Sequence, residues 1–416
     1  MSDYSDLKES AKNLLLSNIK TGYSKGLKKH FFYISPDRKH YHQWFWDSSF
    51  HSIVMANFYP EYAMKEIETL LSVQQANGFI PHIIFWNLRL RDRLHPWWRK
   101  EVNEKVNRYI TCEIQPPVLG ISLLKIYERT KNIEFIENNI SKVEHFYRYL
   151  SRERDPDEDN LVSIITPMES GMDMSPQFDI PFGNKSNNPG ITKNHITELL
   201  KNYKKWNWNL DKIFQSSIFN VEDVAFNSIY CLGLEALSKL YQCIDRKKSK
   251  DIKEWSDRVK ESILVKFWNK KNKIFFSIFH KNKEEYTIPI KTISSLFPII
   301  LDIPEKYTNS LLEHLTSKKE FWTEYPIPSV SIDESSFGPL IDTRFIWRGT
   351  TWINTNWFIA EGLLRHKRYE MYKKIREKTL SLVLKSGFNE FYDPFTGDSG
   401  WAMRNFGWST LSVELI

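Results

Sequence analysis

Apolar residues recur every three to four positions along most of this chain, the spacing that places them on one face of an α-helix. The segment EDVAFNSIYCLGLEALSKLYQ (222–242) has such an apolar face, which runs from Val224 to Tyr241. Glu222 and Asp223 precede it, where carboxylates favour the positive N-terminal end of a helix. The same pattern predicts helices at residues 3–18, 48–58, 61–76, 116–130, 133–151, 222–244, 249–268, 290–301, 305–316, 351–366, 368–385 and 405–415.

Neighbouring predicted helices are joined by short connections, which is typical of helical hairpins. Strand patterns are few and short, and KIFFSIF (273–279) is an example. Residues 152–215 form the one long stretch without a clear period, and a loop of that length is usually functional or disordered. Because no change in composition marks a linker, we expect a single all-α domain over residues 1–416, with a long loop insertion at about 152–215.

Aromatic residues are frequent, with 15 Trp, 19 Tyr and 27 Phe among 416 residues. Trp and Tyr combine a flat apolar ring with a polar edge, so they suit either a large core or a concave surface that stacks on a sugar or a base. Hydrophobic residues make up 41% of the chain and charged residues 26%. These fractions are typical of a soluble globular protein.

The net charge of +7 is mildly basic, with basic patches at residues 87–100 and 245–253. No recognised nucleic-acid motif accompanies these short patches, so we expect no nucleic-acid partner. Cys112, Cys231 and Cys243 form no C-x-x-C pair, and the last two fall inside an apolar helical pattern. Buried free thiols, the absence of a signal region and the absence of a membrane span together predict a cytoplasmic protein. The oligomeric state is not indicated.

Four junctions between predicted helices combine aromatic and polar side chains. They are HQWFWDSSFH (42–51), QQANGFIPH (74–82), IWRGTTWINTNW (346–357) and FNEFYDPFTGDSGW (388–401). In the first junction, Trp44 and Trp46 around Asp47 could stack on a sugar while the carboxylate accepts its hydroxyl protons. Helix capping by Asp47 or Ser48 is the simpler alternative. Asn77-Gly78 is a turn signal that could account for the second junction without any ligand.

The stretch MESGMDMSPQFD (168–179) places Glu169 and Asp173 four residues apart, with no lysine or arginine beside them in the sequence. A solvated acidic turn would explain this spacing. Glu390, between Phe388 and Phe391, is a second carboxylate in an aromatic setting, where burial would perturb its pKa. Glycoside hydrolysis needs such a pair, since one acid must keep its proton while the other stays ionised.

Several common catalytic motifs are missing from the sequence, namely G-x-x-x-x-G-K-[ST], a strand-borne G-x-G-x-x-G, H-E-x-x-H and G-x-S-x-G. Phosphate-loop, dinucleotide, zinc-protease and serine-hydrolase functions therefore have no support. We expect neither a metal nor a cofactor.

Seven short motifs occur in the chain in an order that resembles glycoside hydrolase family 63 and its trehalase relatives. They are QWFWDSSFH, NGFIPH, QPPVLG, ESGMDMSP, PSVS (328–331), WRGTTWINTNW and NEFYDPFTG, and they extend from about residue 43 to 410. The resemblance is greatest to the compact mannosylglycerate and glucosylglycerate hydrolases of bacteria and archaea. Each motif alone is modest evidence, and their order makes the resemblance specific.

The resemblance implies an (α/α)6 barrel, in which six helical hairpins close into a toroid and irregular loops with a few short strands form the active-site face. It also implies hydrolysis of an α-glycoside with inversion at the anomeric carbon. Asp173 would be the general acid and Glu390 the general base, roughly 6.5–9.5 Å apart with a water between them. The residues that would bind substrate are Trp44, Trp46, Asp47, His82, Gln115, Glu169, Gly171, Trp347, Arg348, Trp352 and Trp408.

Two parts of this interpretation stay open at the level of sequence. Glu169 would either form hydrogen bonds with substrate hydroxyls, or hold its own loop in position, or cap a helix. Glycerate is an anionic leaving group, and Arg348 or a basic residue from 87–100 could receive its carboxylate through a bidentate contact.

Alternative functions are a sugar epimerase on the same barrel and a non-catalytic carbohydrate- or nucleic-acid-binding protein. The preferred sugar is not indicated.

Overall fold

Helices form most of the molecule and follow one another in hairpins. The computed structural model describes residues 2–338 and 346–416. Its α-helices are α1 (Ser2–Ser17), α2 (Phe45–Met55), α3 (Pro60–Leu71), α4 (Leu90–Leu94), α5 (Pro96–Glu101), α6 (Leu119–Thr130), α7 (Ile133–Glu153), α8 (Pro189–Lys205), α9 (Leu210–Ser216), α10 (Val224–Tyr241), α11 (Arg246–Lys266), α12 (Glu305–Thr316), α13 (Ile353–Arg365) and α14 (Tyr369–Ser386). Tighter 3-10 helices lie at Pro167–Ser170, Pro176–Asp179, Ile293–Ile300 and Gly407–Leu415.

Six helical segments form a closed inner ring. In order around the ring they are α2, α6, α10, Ile293–Ile300, α13 and Gly407–Leu415. Each packs against the next, and the last returns to α2. Every residue of α2 and of Ile293–Ile300 is buried, as expected for apolar helices that are enclosed on all sides.

A second helix packs on the outside of each ring member. The pairs are α3 on α2, α7 on α6, α11 on α10, α12 on Ile293–Ile300, α14 on α13 and α1 on Gly407–Leu415. Because each hairpin reverses the chain, the inner segments all point the same way, and the loops that lead into them meet at one end. This arrangement is the (α/α)6 barrel that the resemblance implied, and the helices expected from the apolar pattern are its members.

Glycines allow the inner helices to approach one another closely. A Cβ on Gly120 of α6 would lie 2.8 Å from the carbonyl oxygen of Gly233 in α10. A Cβ on Gly362 of α13 would lie 2.7 Å from the carbonyl oxygen of Ile299. These distances are shorter than ordinary van der Waals contacts, so a larger residue at either position would push two ring members apart.

Short antiparallel strands line the barrel end where the loops meet. They are β1 (Ile19–Ser24), β2 (Lys29–Ile34), β3 (Gln43–Trp44), β4 (Ile83–Ile84), β5 (Ser163–Ile164), β6 (Val221–Glu222), β7 (Trp268–Asn269), β8 (Ile274–Phe275), β9 (Ile278–Lys281) and β10 (Glu284–Thr287). β1 pairs with β2, β3 with β4 and β7 with β8, while the largest sheet has the order β10-β9-β6-β5. Pairing of Trp44 with Ile83 brings the first two aromatic junctions together.

Three expectations from the sequence were wrong in part. Residues 152–215 are not one irregular loop, because α8 and α9 lie within them; Asn188 and Asn209 cap these helices by accepting hydrogen bonds from Gly190 and Lys212. Two helices that the sequence did not predict, α4 and α5, contain most of the basic patch at 87–100. The ring members predicted at 290–301 and 405–415 are 3-10 helices, and the strand predicted at 273–279 is divided between β8 and β9. The division of the chain into domains stays a prediction.

All three cysteines are free thiols, as expected, but only one of the two predicted to be buried is so. Cys231 is buried in α10, whereas Cys243 is exposed just beyond its end. Among the described residues, no helix is long and apolar enough to span a bilayer.

Candidate active site

A cavity of about 140 Å³ opens at the barrel end where the loops meet. Its lining side chains come from the segments that lead into α2, α6, α10, α13 and Gly407–Leu415 or from the first turns of these members; among the described residues, none comes from the segment that leads into Ile293–Ile300. The residues that line it are Pro36, His40, Trp44, Trp46, Asp47, His82, Glu101, Gln115, Met168, Gly171, Asp173, Ile346, Trp347, Glu390, Phe406 and Trp408. All of the predicted site residues except Glu169, Arg348 and Trp352 are in this set.

The first turn of α2 supplies one wall of the cavity. The helix begins at Phe45, whose N–H donates to the carbonyl of His82, and the N–H of Trp46 donates to Oε1 of Gln115 at 3.0 Å. Trp44 is the N-cap and makes no side-chain cap hydrogen bond, so the alternative that Asp47 or Ser48 caps this helix is wrong. Burial raises the pKa of Asp47 to about 8, and its Oδ1 accepts no hydrogen bond from the described residues.

The loop that carries Asp173 is held by a buried ion pair. Arg154, at the end of α7, donates from Nη1 and Nη2 to the two carboxylate oxygens of Glu169 at 2.9 and 2.7 Å. The N–H groups of Ile114 and Ile165 donate to the same carboxylate. Both charged side chains are fully buried, so Glu169 positions its loop and does not face the cavity.

Gly171 allows the aromatic wall to close over this loop. Its φ of +71° lies in the left-handed region that favours glycine. A Cβ at this position would lie 2.5 Å from the ring of Trp46. The glycine therefore lets the Trp46 ring pack directly on the loop, two residues before the Asp173 carboxyl.

Asp173 and Glu390 face the same cavity from different parts of the chain. Burial raises the pKa of Asp173 to about 7, and the nearby charge of Glu390 adds to this effect. Burial also raises the pKa of Glu390, but the charge of His40 opposes that rise. The charge of His40 also lowers the pKa of Asp173, but there it ranks below the opposing charge of Glu390. The two carboxyls thus differ in the balance of charges around them, and such a difference allows separate acid and base roles.

Backbone pairing fixes Glu390 in the cavity wall. Its N–H donates to the carbonyl of Met403 at 2.8 Å, and the Met403 N–H donates to Oε2 of Glu390 at 3.3 Å. The indole N–H of Trp408 donates to the Glu390 carbonyl at 3.1 Å. The stretch 402–408, which follows the fourth junction, therefore holds Glu390 in place. Trp401, the last residue of that junction, is 79% exposed and does not line the cavity.

His40 is a cavity residue that the sequence did not single out. Its Nδ1 lies 2.9 Å from Oδ2 of Asp37. Burial disfavours the charged imidazole, but the Asp37 carboxylate, with Glu390 and Asp47, outweighs burial and raises the pKa of His40. The Asp-x-x-His spacing of Asp37 and His40 is the sequence feature that could have identified this residue. His42 and His51, the first and last residues of the first junction, do not line the cavity.

Arg348 and Trp352 lie behind the cavity wall, contrary to expectation. Arg348 makes a bidentate, buried ion pair with Asp179, with contacts of 3.0 and 2.7 Å, so its guanidinium is already paired. Trp352 stacks on Trp347 with ring centroids 3.6 Å apart. Trp347 faces the cavity with a φ of +67°, a conformation rare for a bulky residue, and the stacked Trp352 supports it there.

Two further buried carboxyls adjoin the cavity and were missed from the sequence. Glu101, at the end of α5, lines the cavity, and Glu113 lies against it. Polar atoms of His82, Glu101 and Glu113 lie within 4.8 Å of one another. Burial lowers the pKa of His82 to about 3, so this imidazole is neutral.

A basic cleft adjoins the cavity and shares His40 and Trp44 with it. Its cationic side chains are Arg38, Lys39 and Arg91, and Asp92 lies among them. By contrast, the described residues that line the cavity itself include no lysine or arginine. The site therefore combines an acidic, aromatic cavity with a basic cleft beside it.

The closed ring of helical hairpins and the carboxyls in its mouth define a glycoside hydrolase on an (α/α)6 barrel. The family model described as the mannosylglycerate hydrolase MGH1-like glycoside hydrolase domain matches residues 40–409. The chain belongs to this family of glycoside hydrolases.

Named relatives cover nearly the whole chain. A mannosylglycerate hydrolase from Rubrobacter radiotolerans is 27% identical over 88% of this chain and 89% of its own. A glucosylglycerate hydrolase from Mycolicibacterium hassiacum is 26% identical over 89% of this chain and 91% of its own. The structure of a family 63 mannosylglycerate hydrolase from Thermus thermophilus, with Tris and D-glycerate, superposes with a TM-score of 0.83 and 26% identity, covering 98% of this chain and 99% of that one.

Replacing Glu169 with Gln tests the structural role of the buried pair. The change leaves the Arg154 guanidinium buried without its counter-charge, so we expect the free energy of unfolding to fall by about 3–5 kcal/mol. Urea unfolding at pH 7 measures this. Glu198→Gln is the matched control, because Glu198 pairs with Lys201 on the surface and its loss should change stability little. A loss for Glu169→Gln no larger than that of the control would contradict the assignment.

Proposed function

We propose that this glycoside hydrolase is an inverting α-glycosidase that cleaves mannosylglycerate or glucosylglycerate, with Asp173 as general acid and Glu390 as general base. The observation that carries the proposal is that these two carboxyls line one cavity and that burial raises the pKa of Asp173 to about 7. An acid of this pKa keeps its proton in mildly acidic to neutral solution, where a normal aspartate would have lost it. The names of the relatives support the choice of substrates.

The proposed reaction uses each side chain for one task. Asp173 donates its proton to the glycosidic oxygen as the bond to the sugar breaks, and Glu390 removes a proton from the water that attacks the opposite face. The charge of His40 favours the ionised form of Glu390. Trp46 and Trp408, whose rings meet edge to face, offer apolar surface to the sugar, and Asp47 and Gln115 offer polar atoms to its hydroxyls.

We assign the basic cleft to the anionic leaving group. Arg348 is paired with Asp179, so it does not supply the cation that glycerate requires. Arg38, Lys39 and Arg91 line the cleft next to the cavity, and a charged hydrogen bond from such a side chain would hold a carboxylate. Free thiols are consistent with a reducing compartment, and we propose that the enzyme acts in the cytoplasm.

Asp173→Asn and Glu390→Gln test the two catalytic roles. Each change removes proton transfer while keeping side-chain shape, so we expect kcat to fall by about 10²–10⁴-fold in each variant. Hydrolysis of mannosylglycerate and glucosylglycerate, followed by release of the free sugar, measures the loss. Circular dichroism melting should show folded variants. A loss of less than about tenfold in a folded variant removes that residue from its role.

The pH dependence of kcat/KM should be bell-shaped, with its alkaline limb near pH 7. Activity falls as pH rises through the pKa of Asp173, about 7, because the acid loses its proton. It falls at low pH because Glu390 becomes protonated, and burial moves this limb above the ordinary glutamate pKa. Rates with a neutral glycoside measured from pH 4 to 9 in constant ionic strength test this. Full activity maintained to pH 9 would be inconsistent with Asp173 as the acid.

Changing the basic cleft should affect anionic substrates alone. Arg38→Ala combined with Lys39→Ala removes two cations, so we expect KM for mannosylglycerate to rise about tenfold or more, with kcat nearly constant. Methyl α-mannoside, which carries the same sugar and no charge, is the control substrate, and its KM should stay the same. Equal effects on both substrates, or no effect on either, would refute the assignment of the cleft.

A further inference from the structure

His82, Glu101 and Glu113 form a buried cluster to which the proposed reaction gives no task. His82 and Glu101 line the cavity, whereas Glu113 lies behind them. The three residues are 5%, 3% and 0% exposed. One ring nitrogen of the histidine and one oxygen of each carboxyl lie within 4.8 Å of one another. Three side chains of the kinds that bind metal ions in proteins therefore meet in the cavity wall.

Backbone hydrogen bonds fix the three segments relative to one another. The His82 N–H donates to the Glu113 carbonyl at 2.8 Å, and the Cys112 N–H donates to the Glu101 carbonyl at 2.9 Å. The Thr166 hydroxyl donates to Oε1 of Glu113 at 2.6 Å. Metal ligands are commonly oriented by such an additional hydrogen bond, so this carboxyl is already held in position.

The two carboxyls of the cluster lack a basic partner. Buried charges in proteins are normally paired or coordinate a metal, and Glu169 nearby has an arginine partner. Within the described residues, by contrast, neither Glu101 nor Glu113 forms an ion pair with a basic side chain, and Lys100 donates instead to the Thr197 hydroxyl at 3.1 Å. Two carboxylates in contact repel each other unless a proton or a cation lies between them.

His82 favours a cation over a shared proton. Its Nδ1 is buried and has no hydrogen-bond partner among the described residues. A proton shared by Glu101 and Glu113 would leave this imidazole unused, whereas one metal ion can bind all three groups. Ligand atoms bonded to one ion at about 2.0–2.2 Å lie up to about 4.4 Å apart, so the spacing within the cluster requires at most a small inward movement of the side chains.

We propose that His82, Glu101 and Glu113 bind one divalent transition-metal ion, Mn²⁺ or Zn²⁺, whose remaining coordination positions open to the cavity. One imidazole and two carboxylates are a ligand set that suits these ions. Because Glu113 lies behind the wall while the other two ligands line the cavity, the unligated side of the ion faces the cavity. The sequence did not indicate this site, since its ligands lie in separate segments and form no metal-binding motif.

Electron paramagnetic resonance (EPR) of Mn²⁺ tests the site on the full chain after dialysis against EDTA and then buffer. The signal of free Mn²⁺ falls as the ion binds, and we expect one ion per chain that Zn²⁺ displaces. Glu113→Gln and Glu101→Gln each remove one ligand while keeping side-chain shape. Each should weaken binding by at least about 10–100-fold, the loss seen when a residue that merely orients a ligand is removed.

Circular dichroism melting identifies the folded variants among these two. Absence of saturable Mn²⁺ binding to the wild-type chain would overturn the proposal and leave a shared proton between the carboxyls. Unchanged Mn²⁺ affinity in either folded variant would also overturn it.

Asp157→Asn is the matched control for binding elsewhere on the chain. Two other groups of described residues have the spacing of metal ligands, and Asp157 belongs to both; they are Asp157, His280 and Glu285, and Asp155, Asp157 and Asp159. We expect this variant to bind Mn²⁺ like the wild type. Loss of binding in Asp157→Asn would place the ion in one of those groups and contradict the assignment to the cavity wall.

Two properties of bound Mn²⁺ report on its ligands directly. Pulsed EPR should show coupling to an imidazole nitrogen, which His82→Ala removes, and water proton relaxation should show exchanging water on the side that faces the cavity. A wild-type complex without nitrogen coupling, or without exchanging water, would overturn the proposed coordination. None of these measurements uses a glycoside, so a chain that binds Mn²⁺ as expected but hydrolyses no glycoside would refute the proposed function and leave the metal site standing.

Discussion

The buried ion pair between Arg154 and Glu169 is the contact on which the active-site end of the barrel depends. One carboxylate accepts hydrogen bonds from the end of α7, from the segment before α6 and from the residue after β5. It thereby ties the loop of Asp173 to two neighbouring hairpins. A buried pair of this kind is costly to desolvate and often adds little net stability. The role of this pair is to hold the loop of Asp173 in one position, because its hydrogen-bonding geometry allows few other arrangements of that loop.

Desolvation then sets the proton affinities at the mouth of the ring. The same aromatic side chains that shape the cavity keep water away from its carboxyls, and burial raises the pKa of each of them. The charge of His40, which is paired with Asp37, lowers the pKa of Asp47, Asp173 and Glu390, and it is the largest effect that opposes burial at Asp47 and Glu390 but not at Asp173. A cavity with several carboxyls can therefore hold protons on some of them while one remains available as a base.

The barrel was predictable from the sequence because each of its helices can be recognised from local sequence features. Each member of the ring has an apolar period of its own, and Asp223 lies before the apolar face of α10 and caps it, accepting from the Phe226 N–H at 2.8 Å. The helices α8 and α9 were missed because their sequence is rich in Asn and Lys and their apolar faces are narrow. Asp173 and Glu390, which line one cavity, were singled out through their motifs, and the resemblance that those motifs carry implied the barrel.

The misplaced site residues share a physical cause. Glu169 and Arg348 belong to motifs that resemble an active site, but their partners, Arg154 and Asp179, are brought to them only by the fold. The local sequence does not show which side chains will pair in the fold. Glu169 and Arg348 were therefore predicted to bind substrate because they lie in motifs that resemble an active site. Glu101 and Glu113 were missed for the converse reason, since neither lies in an aromatic junction and only tertiary packing brings them together.

The central claim is that two opposed carboxyls cleave the sugar linkage through one water in a single displacement. Proton NMR of the first minutes of mannosylglycerate hydrolysis tests it most directly, because the configuration at the anomeric carbon of the released mannose records the face that water attacked. The account predicts β-mannose as the first product, followed by slow mutarotation. Initial release of α-mannose would contradict it, since retention requires a second displacement that one acid and one base acting on water do not provide.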